Sequence, residues 1–395
     1  MNMRKVIEDT ENYDDKKVFG RLGIIPMRGC EELGGLINDY LKEWRYNDEG
    51  YIVKAECPRF ATGEGKGVIL NTVRGYDIFI ISDCFNYSVT YNMYGEPNRM
   101  SPDDHFQDLK RIISALGGKA RRITVFMPML YESRQHRRFY RESLDCAVAL
   151  QELEHMGVTN VLTFDAHDPR VQNAIPFGSF DTISPSYQMI CALLASVDDV
   201  SLTKERLLLV SPDEGGMSRC LRYSSMLGLD VVMFYKRRDY STVVSGRNPI
   251  VAHEFLGSDV EGKDTIIIDD MLSTGDSLID IAKQLKKRGA RRIFAFITFG
   301  LFCESIDKFD EAYEHGLINM IYTLNVNYRT PELKKRPWHY GVDVSRYMAK
   351  IIDALNYDDS ISDLLNPHEK IKNLLERINK DSSFNNYQFS IDGEY

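Results

Sequence analysis

Short apolar runs alternate with amphipathic segments along the chain from about residue 60 to residue 323. Each run is rich in β-branched residues and is bounded by polar or glycine-containing turns, which is the pattern of buried strands. The segments between them repeat apolar residues at helical spacing. This alternation predicts an α/β fold of mainly parallel sheets flanked by helices. Strands are predicted at Asp77–Ser82, Ile123–Met127, Val161–Phe164, Leu207–Val210, Val231–Tyr235, Thr265–Ile268, Ile293–Thr298 and Met320–Thr323, and helices at Asp104–Leu116, Ser143–His155, Gly216–Leu227 and Ser277–Arg288.

A faint internal echo relates the two halves of the chain. The residues Ala-Arg-Arg-Ile at 120–123 recur at 290–293, each time after a helix that ends at glycine, and the segment 77–83 parallels 264–270. Both matches in the same order favour one domain used twice, with the halves meeting near 177–185. We therefore predict an N-terminal domain over residues 1–180, a similar C-terminal domain over 181–340, and C-terminal helices with a polar tail over 341–395.

Three segments interrupt the alternation and are predicted to be loops. They are Tyr87–Asp103, Tyr240–Lys263 and Tyr328–Pro337, each of which contains proline or glycine among polar residues. After Pro367, apolar residues at helical spacing predict one more helix before the tail.

Composition narrows the class of protein. Hydrophobic residues make up 43% of the chain and charged residues 27%, which is ordinary for a soluble globular protein, and no apolar run reaches the ~20 residues that span a bilayer. The formal net charge of −9 argues against nucleic acid or an anionic membrane as the main partner. The seven cysteines form no Cys-x-x-Cys pair, which argues against a zinc site and a disulfide framework. The polar start is unlike a signal peptide, so we expect a cytoplasmic protein.

The strongest chemical signal is an apolar strand that runs into two carboxylates and then into a helix start, within residues 265–278. Asp269 and Asp270 can accept hydrogen bonds from ribose hydroxyls, directly or through a hydrated Mg²⁺. The turn Ser273–Ser277 presents unpaired backbone N–H groups and the positive end of a helix, where a phosphate can bind. The segment predicts a pentose-phosphate site. The alternative is a doubly wound protein that binds no phosphate.

Two further motifs follow predicted strands. Asp165 and His167 come directly after the strand at Val161–Phe164, and the segment Ser211–Gly216 contains Asp213 and two glycines. Binding residues collect at the carboxyl ends of such strands. A neutral imidazole with nearby carboxylates can hold a divalent metal that nucleotide phosphates already carry, and Asp213 can bind metal or ribose. The alternative for His167 is a structural role.

Two basic clusters could contact phosphates. Residues 236–238 are Lys-Arg-Arg at the end of a strand, and residues 134–138 are Arg-Gln-His-Arg-Arg after another strand. Cations at such positions can neutralise the charge that develops on phosphoryl oxygens during transfer. The alternative is a pair of solvated surface turns. The chain has no Gly-x-x-x-x-Gly-Lys-Ser/Thr segment, so a P-loop is excluded as the nucleotide site.

In their order along the chain, these motifs resemble those of the ribose-phosphate pyrophosphokinases, also called phosphoribosyl pyrophosphate synthetases. The resemblance runs from about residue 60 to residue 365. Residues 60–64, Phe-Ala-Thr-Gly-Glu, resemble the family's Phe-Ser-Asp-Gly-Glu adenine loop, and residues 211–216 resemble its Ser-Pro-Asp-x-Gly-Gly segment. Asp165-Ala166-His167 is similar to an Asp-Leu-His motif whose histidine binds Mg²⁺.

The resemblance implies a role for each matching residue. ATP contacts are implied for Phe60, Thr62, Gly63, Glu64, Arg134 and Gln135, and metal contacts for Asp165, His167 and Asp213. Lys236 falls on the catalytic lysine and Arg238 on a sugar-phosphate contact, and both are the implied catalytic residues. Ribose 5-phosphate contacts are implied for Asp269, Asp270, Ser273, Thr274, Gly275, Asp276 and Ser277.

The resemblance also implies the reaction and the assembly. It implies a ribose-phosphate diphosphokinase, which transfers the diphosphoryl group of Mg-ATP to the anomeric hydroxyl of ribose 5-phosphate and gives phosphoribosyl pyrophosphate and AMP. Mg²⁺ is the implied cofactor. The family is built from two phosphoribosyltransferase-like halves and commonly forms hexamers of dimers, so a homo-oligomer is expected. Two alternatives stay open, namely a phosphoribosyltransferase and a non-catalytic regulatory homologue.

The chain departs from the family pattern at several positions. Thr62 replaces the acid of the adenine loop, and His136 follows Arg-Gln where an aspartate is usual. Asp276 replaces a glycine inside the phosphate loop, and Phe299 stands where a histidine is usual. The Tyr87–Asp103 segment and the tail after residue 365 have no counterpart. Because several departures lie in binding loops, they favour altered affinity or regulation.

Overall fold

The computed structural model describes residues 17–238 and 250–380. These residues form two compact units. Unit 1 contains the described chain up to Thr163, together with Asp168–Ile183 and Ser345–Leu365. Unit 2 contains Phe164–His167, the described residues of Ser184–Val344, and those from Asn366 onward.

Strands and helices alternate along most of the described chain. The strands are β1 (Arg21–Pro26), β2 (Ala55–Glu56), β3 (Val68–Ile69), β4 (Tyr76–Ile81), β5 (Thr90–Met93), β6 (Glu96–Arg99), β7 (Arg122–Phe126), β8 (Asn160–Phe164), β9 (Ser179–Ile183), β10 (Leu207–Ser211), β11 (Val231–Arg238), β12 (Ile250–Leu256), β13 (Asp264–Leu272), β14 (Ile293–Gly300), β15 (Met320–Leu324) and β16 (His339–Val342). The helices are α1 (Glu31–Trp44), α2 (Pro102–Leu116), α3 (Asp145–His155), α4 (Ser186–Ser196), α5 (Met217–Leu227), α6 (Asp276–Lys287), α7 (Asp307–Glu314), α8 (Ser345–Asn356), α9 (Ser362–Leu365) and α10 (His368–Lys380).

Unit 1 is built on a five-stranded sheet with the order β1-β4-β7-β8-β9. Strands β1, β4, β7 and β8 pair in parallel. Ile80 of β4 packs in one apolar core with Leu109 of α2 and Leu150 of α3. Helix α8 packs against α1, where Arg45 at the end of α1 donates hydrogen bonds to Asp353 at 2.7 Å and to Asn356. The late helix α8 therefore belongs to the same packed unit as the first strand.

Unit 2 is built on a seven-stranded sheet with the order β12-β11-β10-β13-β14-β15-β16. All of its pairings are parallel except the one between β11 and the edge strand β12. Residues Ile266–Ile268 of β13 are buried on both faces, as expected for a central strand covered by helices. The predicted α/β class with mainly parallel sheets is confirmed.

The internal echo corresponds to the same ion pair in both units. In unit 1, Arg122 at the start of β7 binds Asp77 on β4 at 2.6 Å. In unit 2, Arg292 just before β14 binds Asp264 at the start of β13 at 2.7 Å. Both aspartates are buried, and in each unit the arginine lies at or just before the start of the neighbouring parallel strand. The repeated motif therefore places an arginine–aspartate ion pair at the amino-terminal edge of each sheet.

The predicted strands and helices are present, but two predicted loops contain strands. The Tyr87–Asp103 segment contains the hairpin β5–β6 and the first residues of α2, and the Tyr240–Lys263 segment contains β12. The hairpin was missed because its residues are mostly polar and exposed, so they show no alternation. Strand β1 and helix α1, which precede residue 60, were not predicted either.

Over residues 17–238 and 250–380, no helix is both long and apolar enough to cross a membrane.

Candidate active site

The turn from β13 into α6 has the form of a phosphate-binding loop. Gly275 adopts a φ of +93°, and a Cβ built on it would lie 2.1 Å from the Cζ atom of Phe309. Only glycine fits there, because any side chain would clash with that buried ring and strain the backbone. Opposite the turn, the backbone N–H of Cys303 donates to the carbonyl of Ser273 at 2.9 Å. Helix α7 and the segment before it therefore fix the shape of the turn.

The start of α6 is suited to an anion. The residue at the N-cap position is Gly275, which has no side chain that could cap the helix by a hydrogen bond. The first backbone N–H groups of a helix have no partner within it, and the helix dipole places partial positive charge at the same end. A helix start with a glycine N-cap at the carboxyl edge of a parallel sheet therefore offers the binding surface that a phosphate requires.

Asp276, the first residue of α6, carries a negative charge that a lysine balances. Its carboxylate lies 2.8 Å from Nζ of Lys308 on α7, and Lys308 also binds Glu304. Hydrogen bonds from Lys308 and from the Thr274 hydroxyl lower the pKa of Asp276. The hydrogen bonds to Asp276 and Glu304 raise the pKa of Lys308. The acid that replaces the family's glycine is thus paired with a cation.

Asp269 and Asp270, near the end of β13, have different surroundings. The Asp270 side chain is 5% exposed, whereas that of Asp269 is 34% exposed. Burial and the neighbouring Asp270 charge raise the pKa of Asp269. Burial opposes ionisation of Asp270, but hydrogen bonding to His167 and the charge of Arg219 outweigh it and lower its pKa. Asp270 is thus a buried, ionised acid, and Asp269 is the member of the pair that solvent and ligands can reach.

Arg219 on α5 is a buried cation that faces three carboxylates. Its guanidinium lies 3.3 Å from Asp165, 3.8 Å from Asp269 and 3.6 Å from Asp270. Burial disfavours its charge, yet the three acids together raise the pKa of Arg219. Since buried acids are costly without a partner, Arg219 allows this acidic cluster to exist inside unit 2.

Asp165 is held in place by the protein itself. Its φ of +37° is rare for a residue other than glycine. The Thr298 hydroxyl donates to its carboxylate at 2.7 Å, and Arg219 and Arg222 each approach it to 3.3 Å. The observed contacts give this carboxylate a structural role in fixing the residues before His167. A metal contact by Asp165 stays a prediction.

His167 is oriented by Asp270. Its Nδ1 donates to the Asp270 carboxylate at 2.6 Å. This bond assigns the ring proton to Nδ1 and the lone pair of the neutral ring to Nε2. A metal-binding imidazole usually donates the N–H of its other ring nitrogen to a carboxylate in this way. The structure thus brings together two residues predicted from separate motifs.

Asp213 lies in the turn that leads from β10 into α5. Its carboxylate accepts a hydrogen bond from the backbone N–H of Gly216 at 3.0 Å, and its carbonyl accepts one from the Ser211 hydroxyl at 2.8 Å. These bonds fix the turn from which Arg219 follows on α5. In the described part of the chain, no group of three or more His, Cys, Asp or Glu side chains is placed so that it could hold a metal ion.

Comparison with known proteins decides the family. Residues 22–157 match the N-terminal domain of ribose phosphate pyrophosphokinase, and residues 179–308 match the phosphoribosyl transferase domain. The ribose-phosphate pyrophosphokinase of Vibrio parahaemolyticus is 31% identical over 317 residues, which is 79% of this chain and 91% of that protein. The chain belongs to the ribose-phosphate pyrophosphokinase family. The enzyme of the same name from Ralstonia nicotianae is 32% identical over 249 residues, which is 62% of this chain and 70% of that protein.

A solved structure of a family member has the same fold. The phosphoribosylpyrophosphate synthetase of Mycobacterium smegmatis superposes with a TM-score of 0.67 at 21% identity, covering 85% of this chain and 98% of that protein. The predicted pair of phosphoribosyltransferase-like domains is confirmed, as is the prediction that the chain is an enzyme of the ribose-phosphate pyrophosphokinase family.

In this ribose-phosphate pyrophosphokinase homologue, the predicted adenine loop is a tight turn of unit 1. The N–H of Phe60 donates to the carbonyl of Glu64 at 2.7 Å, and that of Gly63 donates to the carbonyl of Phe60 at 2.9 Å. Gly63 has a φ of +92°. The Thr62 hydroxyl donates to the Glu64 carboxylate at 2.8 Å. The turn leaves the Phe60 ring exposed.

The other predicted ATP contacts lie after β7. Arg134 is exposed, while Gln135 donates from its side chain to the carbonyl of Ser143 at 2.8 Å. His136, where the family has an aspartate, is hydrogen-bonded to the Ser133 carbonyl and lies 3.5 Å from Asp168. Gln135 and His136 therefore stabilise this turn, and the nucleotide contacts stay predictions.

The predicted catalytic residues are only partly described. The backbone of β11 extends to Arg238 and pairs with β12, with an irregularity in register between Arg237 and Arg238. The side chains of Lys236 and Arg238 lie outside the described residues. Their roles stay predictions.

Sequence reasoning missed Arg219 and Lys308. A signal for Arg219 existed, since it shares the buried stripe of α5 with Tyr223 and Met226, where a charged residue requires a partner. Lys308 carried no signal, because its partner Asp276 lies on another helix. Phe299, where the family has a histidine, is buried in β14.

Proposed function

We propose that the chain is a ribose-phosphate diphosphokinase, which transfers the diphosphoryl group of Mg-ATP to ribose 5-phosphate and yields phosphoribosyl pyrophosphate and AMP. The observation that supports this most is that α6 begins after a glycine N-cap, one short turn after Asp269 and Asp270. Two matched domains in succession disfavour a phosphoribosyltransferase, which needs only one such half.

The ribose 5-phosphate site is proposed on unit 2. The backbone N–H groups and hydroxyls of Ser273–Ser277 bind the 5-phosphate. Asp269, the more exposed acid of the pair, accepts hydrogen bonds from the ribose hydroxyls. Asp270 and Arg219 are buried next to Asp269 and fix the position and charge of its carboxylate. This division of roles follows from the burial of the two acids.

The donor set fits Mg²⁺ carried by a nucleotide. Mg²⁺ prefers oxygen ligands, keeps several waters, and is usually bound through one or two carboxylates together with substrate phosphates. One or two of the candidate groups Asp165, His167, Asp213 and Asp269 would contact the metal, directly or through its waters, with His167 oriented by Asp270. When bound, the metal supplies charge that neutralises the phosphate oxygens. Arg219 and the Thr298 hydroxyl fix the position of the Asp165 carboxylate.

The proposed reaction is an in-line displacement. The anomeric hydroxyl oxygen of ribose 5-phosphate forms a bond to the β-phosphorus of ATP and gives up its proton. The bond from the β-phosphorus to the oxygen bridging to the α-phosphorus breaks, and AMP leaves with that oxygen. Phe60, Thr62, Gly63, Glu64, Arg134 and Gln135 bind ATP. Lys236 and Arg238 stabilise the negative charge that develops on the phosphoryl oxygens.

Product analysis tests the proposal. The purified chain is incubated with Mg²⁺ and ATP, with and without ribose 5-phosphate, and nucleotides are separated by ion-exchange chromatography. We expect AMP only when ribose 5-phosphate is present. Release of ADP instead, or a folded protein that forms no AMP, would contradict the proposal.

We also propose that the chain acts in the cytoplasm as a dimer-based homo-oligomer. Sedimentation velocity would measure its oligomeric state.

Removing the cation beside the phosphate loop should weaken sugar-phosphate binding. In Lys308→Met, the Asp276 carboxylate at the start of α6 loses its partner, so its charge opposes the bound phosphate. Because both groups are partly exposed, we expect the KM for ribose 5-phosphate to rise only about 2–5-fold, with little change in kcat. Steady-state kinetics measures this. The double variant Lys308→Met/Asp276→Gly should recover most of the loss, and an unchanged KM in the single variant would contradict the pairing.

Removing the carboxylate behind His167 should weaken metal-nucleotide binding. We expect Asp270→Asn to lower the affinity for the Mn²⁺ complex of α,β-methylene-ATP, which cannot release AMP, by about 10–100-fold. Calorimetry measures that affinity. Asp280→Asn, which removes an exposed acid of α6, is the matched control and should bind as the unmodified protein does. Equal affinities for all three proteins would rule out the positioning role of Asp270.

A further inference from the structure

The hairpin β5–β6, within the segment that has no counterpart in the family, packs on the predicted adenine loop. The backbone N–H of Tyr94, at the hairpin tip, donates to the carbonyl of Ala61 at 2.7 Å. The side chain of Met93 lies against Gly63, where an added Cβ would come within 2.8 Å of the Met93 sulfur. The hairpin and the loop therefore form one packed structure within unit 1.

A second set of contacts fixes the base of the hairpin to the residue before the loop. The guanidinium of Arg59 lies over the ring of Tyr91, at 4.6 Å from its centroid. Arg59 also binds the buried carboxylate of Asp108 on α2 at 2.9 Å. The Tyr91 hydroxyl donates to Asp104, also on α2, at 3.3 Å. The loop is thus attached through the hairpin to the core helix of unit 1.

Two aromatic rings are exposed where the hairpin meets the loop. Phe60 is 56% exposed and Tyr94 is 78% exposed. The hydrogen bond from Tyr94 to Ala61 places Tyr94 against the residue that follows Phe60. Tyr94 has a φ of +52°, a backbone conformation that is rare for a tyrosine. The contacts of the hairpin hold the backbone of Tyr94 in this conformation next to the loop.

The side chains of the loop provide fewer hydrogen-bond acceptors for a base than the family pattern does. Thr62 stands where the family has an acid, and its hydroxyl donates to Glu64 within the loop itself. A base bound here therefore depends more on stacking than on a carboxylate at this position. Aromatic faces stack on any base, so an added ring can compensate for a lost acceptor.

We propose that Tyr94 is a nucleobase-contacting residue, and that the β5–β6 hairpin forms an added wall of the subsite that Phe60 begins. This inference rests on the proposed function for the identity of the ligand, the nucleobase of the ATP donor. It assigns a binding role to a segment that the family pattern lacks.

The test removes the ring and keeps the backbone. Asparagine tolerates a positive φ better than most residues, so Tyr94→Asn is chosen. The matched control is Tyr46→Asn, because Tyr46 is also an exposed tyrosine, with a φ of +48°, and it follows α1. Calorimetry measures binding of two probes in the presence of Mg²⁺, namely α,β-methylene-ATP and inorganic tripolyphosphate, which has no base.

We expect Tyr94→Asn to bind α,β-methylene-ATP about tenfold more weakly and tripolyphosphate as before. Tyr94→Phe and Tyr46→Asn should bind both probes as the unmodified chain does. Unchanged nucleotide affinity in Tyr94→Asn, or an equal loss for tripolyphosphate, would overturn the inference. So would a change in sedimentation without a change in nucleotide affinity, which would assign the ring to a subunit contact. If the unmodified chain bound no α,β-methylene-ATP, the proposed function would fail as well.

Discussion

Replacing Arg219 with methionine is expected to lower the free energy of unfolding of unit 2 by about 3–5 kcal/mol. The variant leaves Asp165, Asp269 and Asp270 without the buried cation that they share. Urea denaturation followed by tryptophan fluorescence measures the effect. The chain has two tryptophans, of which Trp338 is buried in unit 2, so a Trp44→Phe background reports on unit 2 alone.

Arg222→Met is the matched control for this prediction. Arg222 lies on the same helix and also approaches Asp165 to 3.3 Å, but its side chain is partly exposed. Because solvent screens the partly exposed guanidinium of Arg222 and Asp165 keeps Arg219 as its partner, we expect a loss of only about 0–1 kcal/mol in this control. Adding Asp165→Asn to Arg219→Met should restore part of the loss, because one unpaired charge is removed. Equal stability of the Arg219 and Arg222 variants would contradict the central position given to Arg219.

Replacing Lys236 with alanine is expected to reduce turnover by about 10²–10³-fold while both substrates still bind. A group that stabilises charge only in the transition state lowers kcat without weakening substrate binding. Initial rates of AMP formation measure turnover. Calorimetry with ribose 5-phosphate and with the Mg²⁺ complex of α,β-methylene-ATP measures binding.

The neighbouring residue provides the comparison for Lys236. Arg237 is also basic and on the same strand, but the resemblance assigns it no role. Arg237→Ala should keep a rate within a few-fold of the unmodified chain. If Lys236→Ala also turned over at a near-normal rate, Lys236 would have no part in the reaction. If Lys236→Ala lost nucleotide binding instead, Lys236 would act in substrate binding and not in the transition state.

Most buried strands of the two sheets could be predicted from the sequence, although the buried strand β1 was missed. The apolar runs that form β4, β10 and β13 predict buried strands, because strands at the centre of a parallel sheet are covered on both faces. The β5–β6 hairpin could not be predicted, because its residues are mostly polar and exposed and it is stabilised by contacts with the distant loop at Ala61 and Gly63. Strand β12 forms at the sheet edge by pairing with β11.

The candidate site likewise contains features that could be predicted from the sequence and features that could not. Asp269, Asp270 and the turn after them are adjacent in sequence, so their chemistry could be predicted without a structure. The contact between His167 and Asp270, and the position of Arg219 among three acids, join segments far apart in the chain. Periodicity gives no information about such contacts, because it reports which face of an element is buried and not what it meets.

Transfer of a diphosphoryl group to the sugar is the central claim, and ³¹P NMR of the reaction mixture tests it most directly. The chain is incubated with Mg²⁺, ATP and ribose 5-phosphate, and the phosphorus resonances are followed over time. We predict that AMP and a sugar carrying a diphosphate at C1 appear in equal amounts, with both phosphorus atoms of that diphosphate coming from the β and γ positions of ATP. Formation of ADP with a sugar that carries a single phosphate at C1, or no consumption of ATP by the folded protein, would contradict the account.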